Sequence, residues 1–159
     1  MSRLVGDELE RRGAPVEVLD GDVVRTHLSR GLGYSKEDRD TNIARIGWVA
    51  SRLARAGASV VVAVISPYAE ARRRAREMTE AFAPFVEVYV RASVDECARR
   101  DPKGLYERAL SGELPDFTGV SAPYEEPVAP DLELDTELEE PQACAERVIA
   151  LLESRGLVR

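Results

Sequence analysis

The most constraining feature of the sequence is SVVVAVI, an almost unbroken apolar run at 59–65. The run is far shorter than the roughly 20 residues that a membrane-spanning helix needs, and its β-branched residues favour a strand. Apolar runs without alternation are typical of strands that are buried on both faces of a parallel sheet. The run therefore predicts a core strand with helices on both sides.

Helical and strand patterns alternate along the rest of the chain. Further strands are predicted in PVEVLD, FVEVYVRA and DLELDT, with helical patterns between them and at both ends. This alternation predicts a single α/β domain over 1–159, built on a doubly wound, mostly parallel sheet flanked by helices. The stretch 101–130 is rich in proline, glycine and charged residues, and we expect it to form a mobile lid.

The charge and the side-chain inventory argue against several classes of function. The net charge of −7 is not that of a general nucleic-acid-binding protein, although a few arginines suffice to bind a small anion. His27 is the only histidine, which argues against a Ser-His-Asp triad or a multi-histidine zinc site. Cys97 and Cys144 form no CxxC pair, and the charged N-terminus does not read as a secretory signal. We therefore expect a cytoplasmic protein.

Polar residues follow the predicted strands at their carboxyl ends, where parallel sheets bind ligands. Asp20 and Asp22 come after the first strand, in LDGDVVR, and Ser66 comes after the second. The two carboxylates are suited to holding a metal-bound water or orienting a hydroxyl group. Alternatively, Asp22 only caps the helix that follows, because aspartate is common at that position.

Arginines and aromatic rings are expected near the same edge. Arg25 and Arg39 carry guanidinium groups that match phosphate or sulfate oxygens, and Asn42 lies on the same helix face as Arg39. Tyr34 and the lid residue Phe117 are suited to stacking on the two faces of a purine. The alternatives are that the arginines are ordinary surface residues and that the rings pack in minor clusters.

Five segments together resemble the adenylylsulfate kinase family. They are LDGDVVR, LGYSKEDRDTNIARIG, VISPYAEAR, RDPKGLYERALSGELPDFTGVSAPYEEP and LELDT, in this order from about residue 16 onwards. Each segment alone is weak evidence for the family, whereas the five segments in this order are specific to it. The resemblance implies a P-loop NTPase-like fold. It also implies an enzyme that uses Mg²⁺ and transfers the γ-phosphoryl group of ATP to the 3′-hydroxyl of adenosine 5′-phosphosulfate (APS). The product, PAPS, serves sulfate assimilation.

The resemblance also implies roles for individual residues. Asp22 would orient the 3′-hydroxyl or accept its proton, Asp20 would support the water shell of Mg²⁺, and Ser66 is a further catalytic candidate. Arg100 would contact the phosphates of ATP. The residues implied in substrate binding are Arg25, Tyr34, Arg39, Asn42, Ile65, Ser66, Lys103, Phe117 and Thr118.

One motif of the family does not occur in the 159 residues. A P-loop, G-x-x-x-x-G-K-[ST], should precede the first segment, because its backbone N–H groups and lysine hold the phosphates of ATP. The 19 residues before Asp20 contain no such motif. We therefore expect that the first strand and the P-loop are missing and that the strands beside them have unpaired edges. On this interpretation the chain is a truncated enzyme with poor activity.

Two alternatives to truncation stay open: the chain is a non-catalytic module that binds APS or PAPS, or a second chain completes its fold. A shikimate or nucleoside monophosphate kinase fits less well, because such enzymes lack the lid sequence DFTGVSAPYEEP. The partners that the resemblance implies are small nucleotides, APS and ATP, and neither nucleic acid nor a membrane. The resemblance also implies a homodimer and allows a fusion to, or an association with, ATP sulfurylase.

Overall fold

A computed structural model describes residues 1–158, in which seven helices and four strands alternate as an α/β fold. No helix in this range is both long enough and apolar enough to cross a membrane. In chain order the elements are α1 (Ser2–Arg11), β1 (Val16–Asp20), α2 (Gly21–His27), α3 (Lys36–Arg55), β2 (Ser59–Ala63), α4 (Ala69–Glu80), β3 (Val88–Arg91), α5 (Val94–Arg100), α6 (Leu105–Leu110), β4 (Leu132–Asp135) and α7 (Pro141–Ser154).

The strands are the four that the sequence predicts, but each is shorter than its apolar run. β2 ends at Ala63, opposite the last residue of β1, so Ile65 lies beyond the ladder. Two serines cap helices: the hydroxyl of Ser35 accepts from the backbone N–H of the third residue of α3, and that of Ser93 accepts from the backbone N–H of the third residue of α5. Side-chain oxygens at these positions satisfy N–H groups that have no partner within the helix.

The lid contains a helix, α6, that its composition did not predict. Gly104 precedes this helix with a φ angle of 64°, a conformation that glycine adopts without steric cost. The carboxylate of Asp101 accepts hydrogen bonds from the first three backbone N–H groups of α6, at 2.8, 2.9 and 3.1 Å. One aspartate therefore starts a helix inside a stretch that otherwise reads as a loop.

The strands form two separate parallel pairs. β1 pairs with β2 and β3 pairs with β4, each in parallel register. Within residues 1–158 no strand pairs with the other edge of β2 or of β3, so the sheet consists of two two-stranded parts. The parallel strands and flanking helices confirm the predicted fold class.

A single hydrophobic cluster packs against both parts of the sheet. Its buried members come from α1, β4 and α7: Val5, Leu9, Leu134, Cys144, Ala145, Val148 and Ile149. One residue from each strand packs against it, namely Val16, Val61, Val88 and Leu132. Burial of apolar surface stabilises the folded state by roughly 25 cal/mol per Å². The helices α1 and α7 therefore hold the two parts of the sheet together through this shared cluster.

Asp131 provides a second connection, at the start of β4. Its carboxylate accepts from the backbone N–H of Glu87 at 2.7 Å and from the guanidinium groups of Arg76 at 2.9 Å and Arg155 at 2.7 Å. Burial alone would raise the pKa of Asp131, but these hydrogen bonds lower its pKa to about 2. The carboxylate therefore links α4 and α7 to the first residues of β3 and β4.

We predict that Asp131→Asn destabilises the protein and reduces its loss of stability in acid. Because the folded-state pKa is lowered, the carboxylate stabilises the protein fully above its ordinary pKa of 3.8, and this contribution disappears as the pH falls towards 2. The expected loss at pH 6 is about 2 kcal/mol. Urea unfolding at pH 6 and pH 3 measures it, with Asp7→Asn, on the exposed face of α1, as the matched control. Equal losses at both pH values would contradict the assignment.

Candidate active site

The carboxylates after β1 have different roles in the structure. Asp20 precedes α2, and its Oδ1 accepts from the backbone N–H of Asp22 at 3.0 Å. The capping role that the sequence allowed for Asp22 thus belongs to Asp20. Asp22 lies in the first turn of α2 with 77% of its side chain exposed, so its carboxylate is accessible at the end of the strand.

Asp22 and the lid residue Lys103 form an ion pair between side chains that are 81 residues apart in sequence. The hydrogen bond from Lys103 to Asp22 raises the pKa of the lysine. Both groups are exposed, so water and salt screen the pair and it adds little to stability. The pair places the lid beside the carboxyl end of β1.

Tyr34 lies beside both predicted arginines. The guanidinium carbon of Arg25 is 4.1 Å from the centre of the Tyr34 ring, and that of Arg39 is 5.5 Å from it. Both distances are typical of cation–π contacts. Arg25 also donates to the carbonyl of Gly33 at 3.0 Å. Tyr34 is nevertheless 58% exposed, so its side chain is accessible to a ligand.

Arg39 joins the loop of Tyr34 to the lid. It is buried on α3, where its Nε donates to the carbonyl of Tyr34 at 2.9 Å and its Nη2 donates to the carbonyl of Asp116 at 2.7 Å. Burial lowers the pKa of Arg39, although a guanidinium remains charged. The alternative that Arg39 is an ordinary surface arginine is therefore wrong, and one side chain fixes the two segments that carry the predicted rings.

Phe117 is next to the carbonyl that Arg39 holds, but its ring also has a neighbour within the lid. It meets the ring of Tyr106 edge-on, with the centroids 4.9 Å apart, and it is half-buried. The alternative that the rings pack in minor clusters therefore holds in part, because the Phe117 ring packs against the ring of Tyr106. Thr118 is buried, and its Oγ1 has no hydrogen-bond partner within residues 1–158.

The segment after β2 is tied to the end of the lid by Arg72, a residue that the sequence did not single out. Its guanidinium donates to the carbonyl of Ser66 at 2.8 Å and to the carbonyl of Glu125 at 2.7 Å. The side chain of Glu125 accepts in turn from the N–H of Ala69 at 2.7 Å. Ile65, just before this segment, is 54% exposed. No local sequence signal marks Arg72, because its partners are distant along the chain.

Strained backbone occurs both in the segment after β2 and in the lid. Ser66 and Asp116 have positive φ angles of 39° and 56°, a region that costs residues other than glycine about 1–3 kcal/mol. The carbonyl of each accepts a hydrogen bond from a buried or half-buried arginine, Arg72 or Arg39. Such strain is concentrated at functional sites, where the surrounding structure holds it in place.

Two further predicted residues have protein partners. Asn42 is buried on α3, and its Oδ1 accepts from the hydroxyl of Ser29, which leaves its amide nitrogen for a ligand. Arg100 donates to Glu96 at 2.6 Å and to the hydroxyl of Thr136 at 3.2 Å. The role of Arg100 on the phosphates of ATP stays a prediction.

The carboxylates do not form a complete metal site. No group of three or more histidine, cysteine, aspartate or glutamate side chains that could hold a metal ion occurs in the described range, 1–158. Asp20 uses one oxygen for the helix cap and has only its other oxygen for a water molecule. These donors do not fit direct Mg²⁺ binding, and a contact of Asp20 with metal-bound water stays a prediction.

Comparison with known sequences decides the family. The sequence profile described as adenylylsulphate kinase matches residues 1–135. The chain belongs to the adenylylsulfate kinase family. It is 47% identical to the adenylyl-sulfate kinase of Picosynechococcus sp., over 99% of this chain and 88% of that protein. It is 54% identical to the enzyme of Myxococcus xanthus, over 91% of this chain and 78% of that protein.

Comparison with solved structures agrees with this assignment. The APS kinase CysC of Mycobacterium tuberculosis, solved in complex with AMPPNP and APS, superposes with a TM-score of 0.89. The two are 42% identical, and the match covers 96% of this chain and 88% of that one. The adenylylsulfate kinase resemblance that the ordered segments indicated is thus confirmed, together with the α/β fold.

We predict that Arg39→Met loosens the lid and the loop of Tyr34. Two carbonyls lose a charged donor, and each such hydrogen bond contributes about 1.5–3 kcal/mol. Amide hydrogen exchange at 33–35 and 116–122 should become at least 10-fold faster, whereas Arg30→Met, on an exposed arginine nearby, should leave it unchanged. Unchanged exchange in the Arg39 variant would show that the side chain does not hold the two loops.

Proposed function

We propose that this chain binds APS at the carboxyl ends of its strands and forms the acceptor side of an adenylylsulfate kinase. In that reaction the γ-phosphoryl group of ATP moves to the 3′-hydroxyl of APS and gives PAPS and ADP. The observation that carries the proposal is the convergence of Arg25, Tyr34 and Arg39 with the lid at Asp116, next to Phe117.

The adenine of APS would stack between the two loops that Arg39 joins. The exposed face of Tyr34 takes one side of the base, and the half-buried Phe117 takes the other. Phe117 keeps its edge against Tyr106, which sets the angle of the ring. A tyrosine supports this stacking as a phenylalanine does, because both present the same aromatic face.

The phosphosulfate group would lie between Arg25 and Arg39. The carbonyl contacts of Arg39 use Nε and Nη2, so its Nη1 remains for an anionic oxygen. Both guanidinium groups lie close to the ring of Tyr34, so their charges would complement an anion beside the stacked base. The amide nitrogen of Asn42, on the same helix as Arg39, would donate to the nucleotide.

Asp22 would orient the 3′-hydroxyl and accept its proton as the oxygen attacks the phosphoryl group. Phosphoryl transfer depends mainly on alignment and on neutralising charge, so one oriented carboxylate is sufficient on the acceptor side. Lys103 places a positive charge beside this carboxylate, where it would stabilise the transferring group. Ser66 lies across the same edge, and direct in-line transfer needs no covalent bond to it.

The binding of the phosphoryl donor, ATP, is less clearly encoded than that of APS, because the 159 residues contain no G-x-x-x-x-G-K-[ST] motif. ATP phosphates therefore have no backbone cradle in this sequence. A second candidate function, a module that binds APS or PAPS without catalysis, needs only the acceptor site. Both candidates share the acceptor site, and they differ in phosphoryl transfer.

We predict that the 159-residue chain binds APS, binds ATP weakly or not at all, and shows little or no phosphoryl transfer. Titration calorimetry with APS and with ATP measures the binding, and a coupled assay measures ADP release. Normal turnover would exclude the non-catalytic module and our expectation of poor activity. No heat with APS would overturn the acceptor site itself.

We predict that Tyr34→Ala weakens APS binding by about 1–3 kcal/mol, or roughly 5- to 150-fold, because the stacked face is lost. Tyr34→Phe should bind within about twofold of the unchanged chain, since stacking needs only the ring. Calorimetry on both variants, after their folding is checked by circular dichroism, separates stacking from hydroxyl chemistry. Equal losses in the two variants would contradict an adenine site at Tyr34.

Three features of the family remain predictions for this chain. They are a homodimer, an association with ATP sulfurylase, and a cytoplasmic location. None of them enters the acceptor chemistry described above.

A further inference from the structure

Arg72 lies in the first turn of α4, with only 12% of its side chain exposed. Each of its three guanidinium nitrogens has an oxygen partner. Nε contacts the carboxylate of Glu87 at 3.0 Å, Nη1 donates to the carbonyl of Ser66 at 2.8 Å, and Nη2 donates to the carbonyl of Glu125 at 2.7 Å. One cation therefore joins three distant parts of the chain: the residue before β3, the segment after β2 and the end of the lid.

Glu125 makes two further contacts with the segment after β2, residues 66–69. Its backbone N–H donates to the carbonyl of Pro67 at 2.8 Å, and its carboxylate accepts from the backbone N–H of Ala69 at 2.7 Å. Together with Arg72, Glu125 thus provides the partners of three backbone groups in this segment. Backbone groups that have no partner in a helix or strand need one elsewhere, so the path of the segment depends on the end of the lid.

Tyr124, the residue before Glu125, attaches the end of the lid to the sheet. Its ring stacks on the ring of Tyr89 in β3, with the centroids 6.1 Å apart and the planes 17° apart. The guanidinium carbon of Arg72 is 5.9 Å from the centre of the Tyr124 ring. Because Tyr89 is buried, the stack gives the lid a fixed end, and the segment after β2 is held against it.

The segment that Arg72 holds is strained and lies where parallel sheets bind ligands. Ser66 has a φ angle of 39°, a conformation that costs a serine about 1–3 kcal/mol. The carbonyl that accepts from Arg72 belongs to this same residue. Ile65, just before it, is 54% exposed, and both residues follow the carboxyl end of β2. The backbone conformation at the ligand edge of the sheet therefore depends on a side chain of α4.

We infer that Arg72 is a positioning residue for APS binding, which holds the segment after β2 and the end of the lid in one arrangement around the nucleotide. The inference rests on the proposed function, because the arrangement is that of the APS site. Arg39 fixes the lid at Asp116, and Arg72 fixes it again at Glu125. Phe117 lies between these two points in sequence, so the position of its ring depends on both arginines.

Arg72→Lys tests this role, because lysine keeps the charge that pairs with Glu87 but lacks the three separate donor directions of the guanidinium fork. Arg76→Lys is the matched control on the same helix, since the partners of Arg76 are Glu80, Glu87 and Asp131, none of them in the lid or after β2. Titration calorimetry on the folded variants should show APS affinity lowered about 10-fold or more by Arg72→Lys and unchanged by Arg76→Lys. Equal affinities in the two variants would overturn the inference.

Amide hydrogen exchange shows whether Arg72 acts on both segments together. Without ligand, Arg72→Lys should speed exchange about 10-fold or more in the segment after β2 and at Glu125, while 33–35 should not change. Arg76→Lys should change none of them. Bound APS should protect 33–35 and the segment after β2 in the unchanged chain, but only 33–35 in Arg72→Lys. Faster exchange in only one of the two segments would contradict a shared arrangement.

Glu125→Ala tests the same connection from the lid and decides the question if Arg72→Lys does not fold. It removes the acceptor of the Ala69 N–H but keeps the carbonyl that Arg72 binds, so APS affinity should fall about 5-fold. Glu113→Ala, at an exposed lid position, is the control and should leave the affinity unchanged. Unchanged affinity in Glu125→Ala would contradict the inference.

The same titrations separate this inference from the proposed function. If the unchanged chain gives no heat with APS, both are wrong. If the unchanged chain binds APS and the Arg72 and Glu125 variants bind it equally well, the APS site stands and the positioning role of Arg72 is wrong.

Discussion

The candidate site depends on one buried cation. Arg39 lies on the long helix α3, and its guanidinium donates to the carbonyls of Tyr34 and Asp116, which are far apart in sequence. Burying a guanidinium is costly unless its donors are satisfied, so these two carbonyls and the Tyr34 ring compensate for the lost water. The same contacts fix the two loops that carry the aromatic residues. An arginine chosen from sequence as an anion ligand is thus also the residue that positions the rings.

The sequence predicts most of the regular elements, because they depend on local patterns. The apolar run that becomes β2, the caps Ser35 and Ser93, and the ordered family segments are all readable along the chain. Helix α6 was missed, because its cap, Asp101, lies in a stretch whose composition reads as a loop. Arg72 was missed, because its partner Glu125 is 53 residues away and no local pattern encodes that contact.

The sheet of residues 1–158 consists of two strand pairs that share one hydrophobic cluster. The core does not depend on a continuous sheet, since α1 and α7 pack against residues of all four strands. Charged groups at the start of β4 add a second connection through Asp131. The candidate site lies at the opposite ends of the strands, so its residues do not take part in these connections.

The central claim is that one nucleotide lies between the two loops that Arg39 joins. Nuclear Overhauser effects between the adenine protons of bound APS and the ring protons of Tyr34 and Phe117 test it most directly, in the unmodified chain with APS in excess. We expect effects from the adenine to both rings. Effects to neither ring, or to aromatic residues elsewhere in the chain, would contradict the claim.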